Sequence, residues 1–219
     1  MKRLTTFALT LGALVAVPAL AQEQAEKQAT PASAEKPACA LGSVVDEKLT
    51  LTDLDGKTMT FKDLRGKVVL IHFWSTTCPF EEVADPKVMA LEKRWKDNKD
   101  VVVLAINANS SEIGEARPAD GYKAIREHMK KKGLTNKVYV DHGNKLADLF
   151  GARSTPHCFV LDRKGTLVYE GGLDDDPKGD KGEATKQYAR DAVEAVLAGK
   201  DVAVKQSKPY GCSIKRVKA

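Results

Sequence analysis

Val68-Val69-Leu70-Ile71-His72-Phe73-Trp74-Ser75-Thr76-Thr77-Cys78-Pro79 passes from an almost wholly apolar run to a polar turn, a cysteine and a proline. A seven-residue run without alternation predicts a strand buried on both faces, and such a strand requires helices on either side of its sheet. Beyond the turn, Phe80, Val83, Leu91 and Trp95 fall on one helical face, interrupted by Pro86, which predicts a kinked helix. Cys78 therefore stands where a buried strand hands over to a helix. A thiolate at such a place is stabilised by unpaired backbone N–H groups and the helix dipole. Pro79 suits the first turn, because it has no N–H to lose there.

Outward from this centre the pattern continues as strand and helix. Upstream, Leu49 to Thr52 and Thr58 to Phe61 flank Asp53-Leu54-Asp55-Gly56-Lys57, a hairpin with Asp-Gly at its turn. Downstream, Val101 to Ile106 predicts a second buried strand, and Ala119 to Lys132 a helix closed by Gly133. Val138 to Val140 is a short strand, and Asn144 is placed to cap a helix from Lys145 to Phe150. Phe159 to Leu161 and Leu167 to Tyr169 form a second hairpin, and Ala184 to Ala198 an amphipathic helix. The fold class is α/β, a mixed sheet flanked by helices with an N-terminal β-hairpin extension.

The ends of the chain read differently. Lys2 and Arg3, an apolar run from Leu4 to Val17, and Pro18-Ala19-Leu20-Ala21 make residues 1–21 a secretory signal, which predicts export to a bacterial periplasm. Residues 22–43 read as a disordered linker, 44–199 as the domain and 200–219 as a basic tail. Removing the signal from 219 residues leaves 198 with no stretch apolar enough to span a bilayer. The formal charge falls from +5 to +3, and the tail alone carries +5, so the domain offers no basic face for nucleic acid. Four cysteines, Cys39, Cys78, Cys158 and Cys212, are too few for a disulfide scaffold, but export puts them where disulfides persist.

From Leu49 to Ala198 the chain resembles the thioredoxin-like superfamily, in its redoxin and AhpC/TSA branch. The resemblance is carried by Leu51 to Lys57 with Phe61 to Lys67, by Phe73-Trp74-Ser75-Thr76-Thr77-Cys78-Pro79, by Ser154-Thr155-Pro156, and by Pro209-Tyr210-Gly211-Cys212-Ser213-Ile214-Lys215. It implies a thioredoxin-like fold and thiol redox chemistry on a protein or small-molecule thiol or disulfide, with Cys78 as nucleophile. It also implies a cis-proline loop at Thr155-Pro156 facing that cysteine, and no organic cofactor. Trp74, Ser75, Thr77, Pro79, Glu81, Thr155 and Pro156 would shape the site.

One departure bears on mechanism. The exchange enzymes of this superfamily carry Cys-x-x-Cys, whereas here the motif is Cys78-Pro79-Phe80-Glu81. Glu81 holds the resolving position and cannot form a disulfide, and a carboxylate so close opposes a thiolate. Cys212, or as its rival Cys158, would then resolve Cys78, and four cysteines allow three full pairings. Cys-Pro-x-Glu is also similar to the peroxidatic motif of AhpC/TSA peroxiredoxins, which leaves a peroxide as an alternative substrate. A non-catalytic alternative is a copper- or client-binding module, with Cys78, His157 and Cys158 as a soft metal set. His72 reads as a core histidine, His128 and His142 as surface residues, and Asp174-Asp175-Asp176 as a solvated acidic loop.

Overall fold

A computed structural model describes residues 39–217. The signal (1–21) and residues 22–38 of the linker lie outside the described residues. The predicted central strand is β3 (Val68–Trp74), with every residue buried. It lies between a parallel neighbour, β4 (Val101–Asn107), and an antiparallel one, β7 (His157–Leu161). The N-terminal hairpin supplies β1 (Thr50–Asp53) and β2 (Thr58–Thr60), and β5 (Val138–Val140) and β8 (Leu167–Gly171) complete a seven-stranded sheet ordered β2-β1-β5-β4-β3-β7-β8. Ser154–Thr155 (β6) and Cys212–Ser213 (β9) form a separate antiparallel pair.

The two faces of β3 enter different cores. Val69, Ile71 and Phe73 pack with Phe61, Phe150 and Phe159 beneath the helix Lys145–Phe150 (α4 in chain order). Val68 and Leu70 pack against α1 (Glu81–Trp95) and α5 (Tyr188–Leu197), while Trp74 joins a third cluster with Ile125 of α3 (Lys123–Lys132). A short helix, α2 (Ser110–Ile113), follows β4. Among the described residues no helix is long and apolar enough to cross a membrane.

The structure departs from the sequence reading at definite places. The α1 helix runs through Pro86, and its buried stripe is Glu81, Ala84, Asp85, Val88, Leu91 and Trp95. Phe80 and Val83 are only half-buried. The stripe is rotated because two carboxylates find partners inside. The helix predicted from Ala119 begins at Lys123, since Gly121 and Tyr122 both take left-handed backbone angles. Asn144 does not cap α4. The Asp141 carboxylate does so, accepting the N–H groups of Leu146 and Ala147 at 3.0 and 2.8 Å. Residues 39–43, read as linker, pack on the domain, with Cys39 N–H donating to Leu149 O and the Cys39 side chain in the core. The tail also docks, with Ile214 buried in the same core.

Candidate active site

The end of β3 carries the chain out of the sheet at Ser75, and Glu112 organises the turn that follows. Its carboxylate accepts from the Thr76 N–H at 2.9 Å, the Thr76 hydroxyl at 2.8 Å, the Thr77 hydroxyl at 2.7 Å and the Asn107 amide at 2.7 Å. The Ser75 hydroxyl also donates to it. Burial alone would raise this carboxyl, but the donors outweigh it and hold the pKa below the usual carboxylate value. The sequence reading did not single out Glu112. It stands thirty-four residues beyond Cys78, on a helix of four residues that periodicity cannot detect.

This turn presents Cys78 at the start of α1, buried to 5% exposure. Its thiol donates to the Thr155 carbonyl at 2.8 Å. Thr155–Pro156 is a cis peptide bond, and the thiol contact to the Thr155 carbonyl sets the proline loop beside the cysteine. The same Thr155 pairs in register with Cys212 across β6 and β9, which brings Cys212 beside Cys78. Burial first, and then the Cys78 thiol, push Cys212 up to about 11. Gly211 makes the approach possible. Its φ is +112°, and a β-carbon there would collide with the Thr155 carbonyl. Tyr210 packs on Phe80 with ring centroids 6.1 Å apart and donates to the Asp174 carboxylate at 2.9 Å.

Asp174 and Asp176 are buried, contrary to the reading of a solvated acidic loop. Lys87 neutralises them, its ammonium 2.6 Å from Asp174 and 3.4 Å from Asp176. Lys87 stands eighty-seven residues before Asp174, so the two could not be paired from sequence alone, because α1 and the loop meet only in the folded chain.

Behind Cys78 lies a buried ion pair. His72 Nε2 and a Glu81 carboxylate oxygen are 3.1 Å apart, and both side chains are almost wholly inaccessible. Burial pushes the Glu81 carboxyl up. Burial would lower His72, but the Glu81 charge outweighs it and raises the imidazole. The pair thus holds a proton to higher pH than the separate groups would. Trp74 is anchored by its indole N–H, which donates to Asp85 at 2.9 Å.

The remaining predicted residues do not converge on Cys78. Cys158 is fully buried in register with His72, and burial lifts its thiol well above the ordinary value. His157, its neighbour on β7, faces the opposite core, its ring 4.4 Å from that of Phe159. Cys78, His157 and Cys158 are therefore not brought together as a ligand set. Among the described residues no group of three or more His, Cys, Asp or Glu side chains is placed to hold a metal ion. His128 and His142 are half-buried, against the rings of Trp74 and Tyr122 respectively.

The redoxin family pattern matches residues 24–188. The chain belongs to the redoxin family. Among curated proteins, this redoxin is 31% identical over 118 residues to the thiol-disulfide oxidoreductase ResA of Bacillus anthracis, covering 54% of this chain and 62% of the relative. It is 30% identical over 125 residues to ResA of Halalkalibacterium halodurans, covering 56% and 65%. The alignments thus span less than two thirds of those relatives. Among solved structures, a hypothetical protein of Sinorhizobium meliloti 1021 superposes with a TM-score of 0.70 at 28% identity, over 82% of this chain and 96% of that one. The family match stops at residue 188, so the redoxin's C-terminal strand and Cys212 lie beyond it.

Proposed function

We propose that this redoxin is a thiol–disulfide oxidoreductase in which Cys78 is the nucleophile and Cys212 the resolving cysteine. The observation that carries the reading is the juxtaposition of the two thiols, set by the pairing of Thr155 with Cys212 and by the Cys78–Thr155 hydrogen bond. The names of the ResA relatives point to the same chemistry.

The Cys78 thiolate attacks one sulfur of a partner disulfide, forms a mixed disulfide and expels the partner's other sulfur as thiolate. Before this step Cys212 is held protonated, with a pKa of about 11. Once Cys78 is in the mixed disulfide its charge is gone, and its part in keeping Cys212 protonated goes with it, while burial and the Glu81 charge remain. Cys212 then attacks Cys78 Sγ, releases the reduced partner and leaves a Cys78–Cys212 disulfide. Trp74, Ser75, Thr77, Pro79 and Glu81 position the nucleophile, while Thr155 and Pro156 form the groove wall. Two electrons leave the two cysteines and reduce the partner. Support for exchange over peroxide cleavage comes from the contacts of Cys78. Among the described residues its thiol is engaged by the Thr155 carbonyl, an acceptor. Peroxide cleavage instead needs donors aimed at both peroxide oxygens.

The chemistry is expected in an exported protein. Residues 1–21 supply the signal pattern, and the partner class is a protein or small thiol or disulfide. Mass mapping after diamide oxidation tests the pairing, and a Cys78–Cys212 link is expected. A disulfide from Cys78 to Cys158 or Cys39 would reject the assignment. Cys78→Ser should abolish reduction of a model disulfide, and Cys212→Ser should stall it at a mixed disulfide on Cys78. Rapid single-turnover oxidation of Cys78 by hydrogen peroxide with slow disulfide exchange would favour the peroxidase instead.

A further inference from the structure

A Cys78–Cys212 disulfide would offer an incoming thiol two sulfurs, and they differ in access. Cys78 is 5% exposed, walled by the Thr155 carbonyl on one side and the C-terminal strand on the other, whereas Cys212 is partly open to solvent. The same strand takes up the free edge of Ser154–Thr155, and Gly211 is pressed so close to Thr155 that a second extended chain has no room there. An extended peptide would need that edge for its own backbone hydrogen bonds.

The strand is fastened at both ends. Before Cys212, Tyr210 is held by Asp174 and Phe80. After it, Ile214 is 6% exposed in the core, and Arg216 donates to Ala152 O at 2.7 Å and pairs with Asp148 at 3.0 Å. In the reduced protein these contacts are all noncovalent, so the strand can lift. In the oxidised protein a covalent bond to Cys78 is added at its centre, and the strand cannot clear the edge.

We propose that an outside thiol reduces the oxidised protein by attacking Cys212 Sγ with Cys78 as leaving group, and that Cys78 meets an outside disulfide only in the reduced protein, when the C-terminal strand lifts. The inference rests on the Cys78–Cys212 pairing proposed above. The reducing partner is a small thiol, or a cysteine on a projecting loop, rather than an extended segment. Its thiolate forms a bond to Cys212 Sγ while the Cys78–Cys212 bond breaks and Cys78 departs as thiolate. A second thiolate then attacks the partner's sulfur, the partner leaves as its disulfide, and Cys78 and Cys212 each take up a proton. Two electrons pass from two thiols to the protein.

The test uses the full chain, oxidised with diamide and mapped before any thiol is added. A brief pulse of glutathione is quenched with excess N-ethylmaleimide, and the adducts are located by peptide mass spectrometry. The expected product carries glutathione on Cys212 and maleimide on Cys78, at least ten-fold over the reverse arrangement. Equal amounts, or glutathione mainly on Cys78, overturn the proposal. Absence of the Cys78–Cys212 link in the first map overturns the underlying pairing as well, so the two failures are told apart. In the reduced protein, Gly211→Ala should speed maleimide labelling of Cys78 at least ten-fold by forcing the strand off Thr155. An unchanged rate in a variant with native Trp fluorescence would show that the strand does not gate Cys78.

Discussion

At the residue scale, Glu112 holds the approach to Cys78 in place with one carboxylate and five donated hydrogen bonds. Replacing it with Ala leaves a buried amide, three hydroxyls and a backbone N–H without their acceptor, and each lost bond to a charged group is worth about 1.5–3 kcal/mol before water fills in. Glu112→Ala should therefore cost about 3 kcal/mol in urea denaturation and slow disulfide exchange at Cys78 more than ten-fold. A variant with unchanged exchange kinetics would show that the turn is held by other contacts.

His157 gives a second prediction at this scale, in pH. Burial first, and then the Arg153 charge, push its pKa down to about 3, and its Nδ1 accepts the Arg153 N–H at 3.2 Å. The unfolded chain takes a proton at this histidine as pH falls through about 6.5, while the folded one does not until about 3. Stability is thus lost as pH falls across that window, by at most about 1.4 kcal/mol per pH unit from this group. His157→Gln should flatten the decline between pH 6 and pH 4 measured by chemical denaturation. Equal slopes in the two proteins would refute the assignment.

At the scale of the element, α1 is a helix chosen by burial rather than by pattern. Its inward face carries Glu81 and Asp85 beside Val88 and Leu91. Each carboxylate is tolerated because β3 presents a partner, His72 for Glu81 and the Trp74 indole for Asp85. Glu92, about two turns beyond Asp85, has no such partner among the described residues. Burial first pushes it up to about 7, His72 pulls it down and Asp85 pushes it up again. A folded pKa above the unfolded one means that stability falls as pH rises from about 4.5 to about 7, and the penalty persists above. Because Glu92 is still partly solvated, Glu92→Gln should gain only about 1 kcal/mol at pH 8 and close to nothing at pH 4. A loss of stability at pH 8 would show that the carboxylate makes a favourable contact.

At the scale of the whole molecule, the tail belongs to the domain. It supplies a strand to the proline loop, an apolar residue to the core and hydrogen bonds to two loops, including Lys215 N–H to Asn109 at 2.9 Å and Ser110 N–H to Lys215 O at 3.0 Å. Ending the chain after Lys208 should lower stability by about 2–4 kcal/mol, mainly through Ile214, and raise the labelling rate of Cys78. A truncated protein with wild-type stability would mean that these contacts contribute nothing net.

What the sequence determined by itself is the part of the protein governed by local periodicity. The seven apolar residues of β3, the Asp-Gly hairpin, the short strand at Val138–Val140 and the helix after Asn144 could each be read within a dozen neighbours, because burial imposes a period on the chain. The position of Cys78, the proposed nucleophile, was legible for the same reason, since it follows its strand directly. Tertiary structure alone decided which charged residues are buried and which distant segments meet. Glu81 with His72, Lys87 with Asp174 and Glu112 with the Ser75–Thr77 turn are matched across the fold, and a carboxylate that finds its partner inside carries no mark of it in its neighbours. The meeting of Cys78 and Cys212 is of this kind. It depends on a strand pairing with Thr155 from the far end of the chain, and hydrogen-bonded backbone edges join by complementarity in space, which the order of residues does not record.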